Sequence, residues 1–255
     1  MSVETRLPSR TVKQEVAIVL ALSLGASAIW SVISFAGILT EPGGLADSSV
    51  AMNAARAEEQ RPWLDLARQL ASFALGLAPA VLALHLLNLD RGNPFRLIGL
   101  DRSRPGRDVL AGLGLAAAIG VPGLGLYLAA RELGFNASIS ASTLNEVWWA
   151  VPVLILMALK AALVEEVVGV GYLVERLRQI GWSPTVIILS HALLRGGYHL
   201  YQGLGGFIGN AVMGVVFALF YLRFKRTGPL VAAHFALDIA AFAGYELLAD
   251  RVSWL

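Results

Sequence analysis

The stretch LKAALVEEVVGVGYLVERLRQIGWSPTVIILSHALLRGGYHLYQGLGG, residues 159–206, decides the fold, together with VAAHFALD at 231–238. Two adjacent carboxylates, Glu165 and Glu166, sit inside one apolar run, and His199 sits in the next. His234 and Asp238, one helical turn apart, sit in a third. The ordinary reading of a high apolar fraction is a large buried core. Here the 255 residues are 56% hydrophobic and only 15% charged, with mean hydropathy +0.66. A soluble domain carries about a quarter charged residues. The apolar residues come in long runs rather than in alternation, so the expected class is all-α, a polytopic bundle of about seven to eight membrane helices. An ionisable side chain in hydrocarbon costs roughly 2.5–3.5 kcal/mol on insertion scales. Several of them in successive spans therefore point to a shared polar site.

Outward from that stretch, apolar runs cover 16–39, 63–89 and 109–130 on the N-terminal side, the last with Pro122 as an expected kink. The first is longer than the apolar region of a signal peptide, so it reads as a retained span. A fourth run starts at Trp148 and Trp149, an aromatic pair of the type found in interface belts. It continues as helix to about Ile180. Gly181, Trp182, Ser183 and Pro184 make the break, with Pro suited to a first helical turn. Further runs cover 185–201, 207–222 and 229–248. Residues 41–61 and 131–146 read as polar loops. The division is then 1–146, about three N-terminal spans, and 147–250, a core of about four.

With the N-terminus inside, the inner segments hold most of the basic residues, Arg6, Arg91, Arg102, Arg176 and Arg223 among them. The outer segments hold only Arg56, Arg61, Arg131 and Arg251. The positive-inside rule then gives a multi-pass protein of the cell membrane with a cytoplasmic N-terminus. The absence of cysteine excludes disulfides and thiolate chemistry. A net charge of +2 does not suggest nucleic acid as a partner; membrane lipid is the expected surrounding.

The break near Trp182 aligns the polar residues. Glu165 lies 17 residues before it and His199 lies 17 after it. In an antiparallel pair the two share a depth, roughly 25 Å from the turn at 1.5 Å per residue. Glu175, Arg176 and Arg178 would not sit in lipid, so part of that length is expected to protrude into the cytoplasm. The last span enters near Thr227, which puts His234 roughly 10 Å deep and Asp238 one turn further. His-x3-Asp places both side chains on one helix face. All five groups can meet in one layer in the inner half of the bilayer.

Ordinary readings account for other polar residues. A lone histidine in an apolar span is more often a helix-to-helix hydrogen bond than a catalyst, which is the reading of His85 and His191. Lys160 and Arg68 read as snorkelling side chains. Two neighbouring carboxylates in a span, by contrast, need a proton, a cation or water. A carboxylate in a low-dielectric pocket can take and return a proton near neutral pH. One Glu aided by His199 can polarise a water for attack on a carbonyl, with His234 and Asp238 positioning the substrate or holding the oxyanion. Alternatively Glu165, His199 and His234 are candidate ligands for a divalent metal such as zinc that activates the water. The H-E-x-x-H pattern of many zinc peptidases is absent. A proton-coupled transporter using Glu165 and Glu166 is a further reading, weakened by the lack of a repeated half with matching broken helices.

These residues resemble the CPBP family of intramembrane proteases, also called the CAAX protease or Abi family, over about 150–245. The family pattern runs E-E-x-x-x-R, F-x-x-x-H and H-x-x-x-N/D on three membrane helices. Glu165-Glu166, His199 and His234-x3-Asp238 follow it in order. The resemblance implies that Glu165 activates water with Glu166 in support. His199 contacts that water, and His234 and Asp238 complete the site as oxyanion donor or metal ligand. It implies an endopeptidase of a membrane-associated or lipidated substrate; both metal-dependent and metal-free mechanisms are argued for the family. A non-catalytic member, acting in peptide or bacteriocin resistance or in membrane-protein assembly, is the alternative. Its motive is a departure: the motif arginine position holds Val170 and the motif phenylalanine position holds Arg195. Val170 lies 12 residues before the break and Arg195 lies 13 after it. The two changes read as one, a cross-helix relocation of the cation that pairs with Glu166. Gly169 replaces a bulkier family residue, and either leaves room near the carboxylates or weakens the packing that shapes them.

Overall fold

A computed structural model describes residues 7–56, 60–142 and 147–248. Arg6 and Arg251 of the charge count lie outside the described residues. The bundle is mainly helical, as expected. The elements are α1 (Ser9–Ala21), α2 (Leu24–Thr40), α3 (Gly44–Asp47), β1 (Ser49–Asn53), α4 (Pro62–Gly76), α5 (Ala78–Arg91), α6 (Pro94–Leu97), α7 (Pro105–Glu132), β2 (Ser138–Ser142) and α8 (Ala150–Val164). A π-helix (Glu165–Tyr172) continues α8 and leads into α9 (Leu173–Gln179). Then come α10 (Pro184–Tyr198), a 3-10 turn (Leu200–Gln202), α11 (Leu204–Phe224) and α12 (Gly228–Leu248).

Among the described residues, three helices are long and apolar enough to cross a membrane: Pro62–Arg91, Pro105–Glu132 and Leu204–Phe224. The run expected as one first span is instead two helices, α1 and α2, bent by 47° at a break. Ser23 leaves helical geometry there, and its hydroxyl turns back to donate to the Val19 carbonyl. Counting the bent pair as one span gives a fourth. Pro122 lies inside α7, which continues to Glu132.

One correction concerns the loops. The segments 41–61 and 131–146 contain β1 and β2, which pair in parallel with Ser49 opposite Ser138 and Asn53 opposite Ser142. This two-stranded sheet is an exception to the all-α reading at one end of the bundle. The aromatic pair also divides. Trp148 is exposed, while Trp149 is buried against Val153 and Met157.

Close approach between helices relies on small residues. A Cβ on Gly112 of α7 would lie 2.7 Å from the Pro229 carbonyl oxygen of α12. That spacing leaves glycine as the residue that lets α7 and α12 touch backbone to backbone. In the link that precedes α7, the Ser103 hydroxyl and amide, and then Arg226, hold the Asp101 carboxyl down, to about 2. Arg226 also pairs with Asp108, and so pins the α11–α12 connection to the start of α7.

Of Glu175, Arg176 and Arg178, which the sequence reading keeps out of lipid, only Arg178 is about half exposed. Arg176 is fully buried. It donates to Glu15 on α1 at 2.8 Å, to both oxygens of Asp90 on α5 at 2.8 and 3.0 Å, and to the Leu86 carbonyl at 2.9 Å. Tyr172 and Gln179 complete the network. Arg68 donates to the Arg56 carbonyl. The Lys160 stem packs against Gly76.

Candidate active site

Residues 150–179 form one unbroken helical run of 15, 8 and 7 residues, and the carboxylate pair falls at its middle. There the helix widens into the π form. The local sequence EEVVGVGY offers two glycines and three β-branched valines, all weak α-helix formers, so a wider turn costs little. Such widened turns are frequent at functional sites. Gly169 has a packing role: a Cβ there would lie 3.2 Å from Leu24 and 3.4 Å from the His191 ring. The room it leaves is taken by α2 and α10.

From this turn Glu165 and Glu166 face α10 and α12. Glu165 Oε2 accepts a hydrogen bond from the Tyr198 hydroxyl at 2.8 Å. The same oxygen lies 3.7 Å from His199 Nε2, 3.6 Å from Arg195 Nη2 and 4.0 Å from His234 Nε2. Glu166 is fully buried. Its Oε1 accepts from Arg195 Nη1 at 2.7 Å and from His234 Nδ1 at 2.8 Å. That second bond puts a proton on Nδ1 and turns Nε2 toward Glu165. His234 Nε2 also lies 3.7 Å from Asp238, as the His-x3-Asp spacing requires. The five expected groups and Arg195 are thus gathered at one place from three helical runs.

Arg195 pairs with Glu166 across the helices, as the relocation reading expects. Its side chain is 1% exposed. Nη2 lies 3.5 Å from Met213 Sδ and 3.3 Å from His234 Nδ1, and Cζ stands 5.2 Å from the centre of the Phe217 ring. Val170 is fully buried in the apolar core.

Other residues depart from expectation. His199 is not inside a helix but caps the C-terminal end of α10, next to the 3-10 turn. That turn is tied to α2, because the Tyr201 amide donates to the Ser31 hydroxyl at 2.7 Å. Tyr198 went unseen in the sequence: a tyrosine beside a histidine carries no signal until the helix phase is known. His191 is 1% exposed with both ring nitrogens outside hydrogen-bond geometry among the described residues. His85 is exposed and makes no hydrogen bond among them.

Glu165, Glu166 and His234 offer donor atoms within 4.8 Å of one another, so by spacing they could hold one metal ion. His199, expected in that set, is replaced by Glu166. The charge does not fit a resident metal. The Arg195 guanidinium already reaches all three donors. At an effective dielectric of about 20, two unit charges about 4 Å apart interact by about 4 kcal/mol, and a divalent ion doubles that repulsion. A zinc ion would have to bear it or displace a buried guanidinium from Glu166.

No curated protein and no solved structure matches the chain. Residues 147–240 contain the whole cluster from Glu165 to Asp238 and match the model of type II CAAX prenyl endopeptidase Rce1-like proteins. Over that region the chain is similar to the CAAX protease family that its sequence motifs resemble.

Proposed function

We propose that this protein is an intramembrane endopeptidase that hydrolyses a peptide bond near the lipidated or hydrophobic end of a protein or peptide. The observation that carries the reading is the approach of His199 and His234 to one carboxylate oxygen of Glu165. A water between Glu165 and His199 would give a proton to Glu165 while its oxygen attacks the carbonyl carbon. His234 Nε2, aligned by the Nδ1 bond to Glu166 and flanked by Asp238, would hold the developing oxyanion. On collapse the C–N bond breaks, and Glu165 returns the proton to the leaving amine. Tyr198 holds the Glu165 carboxylate in place, and Arg195 holds Glu166. The positive charge of Arg195 among these donors favours this metal-free route over a metal-held water.

The test is cleavage of prenylated and plain hydrophobic reporter peptides by purified protein. Glu165→Gln keeps the shape but cannot take the proton, and is expected to lose about 10²–10⁴-fold in rate. Equal cleavage by both forms would sink the reading.

The proposal includes the setting: a multi-pass protein of the cell membrane with a cytoplasmic N-terminus, and substrate entry from the inner leaflet. Because the chain has no cysteine, single cysteines report sidedness directly. Leu133→Cys is expected to react with an impermeant maleimide added to intact cells, and Arg104→Cys only after the cells are opened. The opposite pattern inverts the topology.

A further inference from the structure

We infer that Arg195 is a built-in counter-cation: its guanidinium fills the place among Glu165, Glu166 and His234 that a divalent metal would need. The native cluster therefore excludes zinc, and removing Arg195 turns it into a zinc site. The inference does not depend on the hydrolase reading, because metal content is measured directly.

Three observations carry it. The donor atoms of Glu165, Glu166 and His234 already lie within 4.8 Å of one another, which is the spacing of a site rather than of scattered charges. The guanidinium touches each of them, at 3.6 Å from Glu165, 2.7 Å from Glu166 and 3.3 Å from His234. It cannot readily leave. The side chain is 1% exposed, with Phe217 beneath its plane and Met213 beside Nη2. Buried charges persist where they are paired. Here two adjacent carboxylates share one arginine, so deletion of that arginine leaves uncompensated negative charge around an imidazole.

Zinc answers that charge. It takes carboxylate oxygen and imidazole nitrogen, commonly three protein ligands and a water. Glu166 Oε2 and both nitrogens of His199 are buried without a hydrogen-bond partner among the described residues, so the surroundings hold further donor capacity.

The experiment uses the full chain in detergent, dialysed against zinc and then against zinc-free buffer, with zinc read by elemental analysis and binding by calorimetry. The wild type is expected to retain no more zinc than the His234→Ala control. Arg195→Ala is expected to retain about one zinc per chain, with an unfolding temperature that rises when zinc is added. Arg195→Ala with His234→Ala is expected to lose that zinc. Arg195→Gln is run alongside, since it removes the charge but keeps much of the stem's packing. The inference is overturned if the wild type holds one zinc that His234→Ala removes. It is equally overturned if a folded Arg195→Ala or Arg195→Gln takes up none. The wild-type arm decides by itself should neither variant fold.

Discussion

Arg195→Ala is expected to lose about 3–5 kcal/mol of stability, and Val170→Arg in that background is expected to return part of it. The loss follows from burial. Glu166 is fully buried, and removing the guanidinium 2.7 Å away strands its charge. Breaking a buried pair from one side costs this much even where the intact pair adds little over apolar packing. Cleavage is expected to fall by about a hundredfold, because Glu166 and the His234 ring it aligns would both shift, and a misplacement of about 1 Å has that effect. Position 170 lies one turn beyond Glu166 on the same helical run. An arginine there can approach Glu166 from its own helix instead of from α10. In the wild type the same Val170→Arg change adds a second cation to a fully buried apolar position and should destabilise. The sign of its effect therefore reverses with the state of residue 195, and a simple packing defect would not reverse. Denaturation midpoints and reporter cleavage, both measured with chelator present, give the four corners of the cycle. A double variant that folds but recovers neither quantity ends the relocation account.

The convergence at this site was legible because it rests on counting. Equal spacings of 17 residues on either side of a proline-marked break put Glu165 and His199 at one level, and their atoms stand 3.7 Å apart. The pairing of Arg195 with Glu166 across the helices was legible for the same reason. Hydropathy located the apolar runs but not the bend within the first, which depends on the backbone at Ser23. Nor did it mark the π-helix, where valine and glycine weaken the α form without naming its replacement. The strands were hidden for another reason. Ser49 pairs with Ser138 across 89 positions, and stretches of only five residues, SVAMN and SISAS, are too short to declare a strand without the partner. The tyrosine that holds Glu165 and the serine that holds the turn after His199 belong to contacts that only the packed bundle creates.

Arg176 shows the same limit, and its removal should give a stability loss as large as that at Arg195. The sequence places a charge near a helix end, where water is the natural partner. The actual partners are Glu15, 161 residues earlier in the chain, and Asp90, 86 residues earlier. With its Nε and both Nη nitrogens engaged, the guanidinium ties α1, α5 and α9 at one level. Arg176→Ala would leave Asp90, itself 9% exposed, and Glu15 facing each other without a cation. A loss of about 3–5 kcal/mol is expected, read as a lowered denaturation midpoint in detergent. Asp90→Asn combined with Arg176→Ala should recover part of it, because the stranded charge goes with its partner. Arg176→Lys should recover less than the geometry of a simple ion pair suggests. An ammonium can reach one carboxylate but cannot span Glu15, Asp90 and the Leu86 carbonyl in one plane. If Arg176→Lys matches the wild type, the network acts through charge alone, and the planar fork that joins the three helices has no separate energetic role.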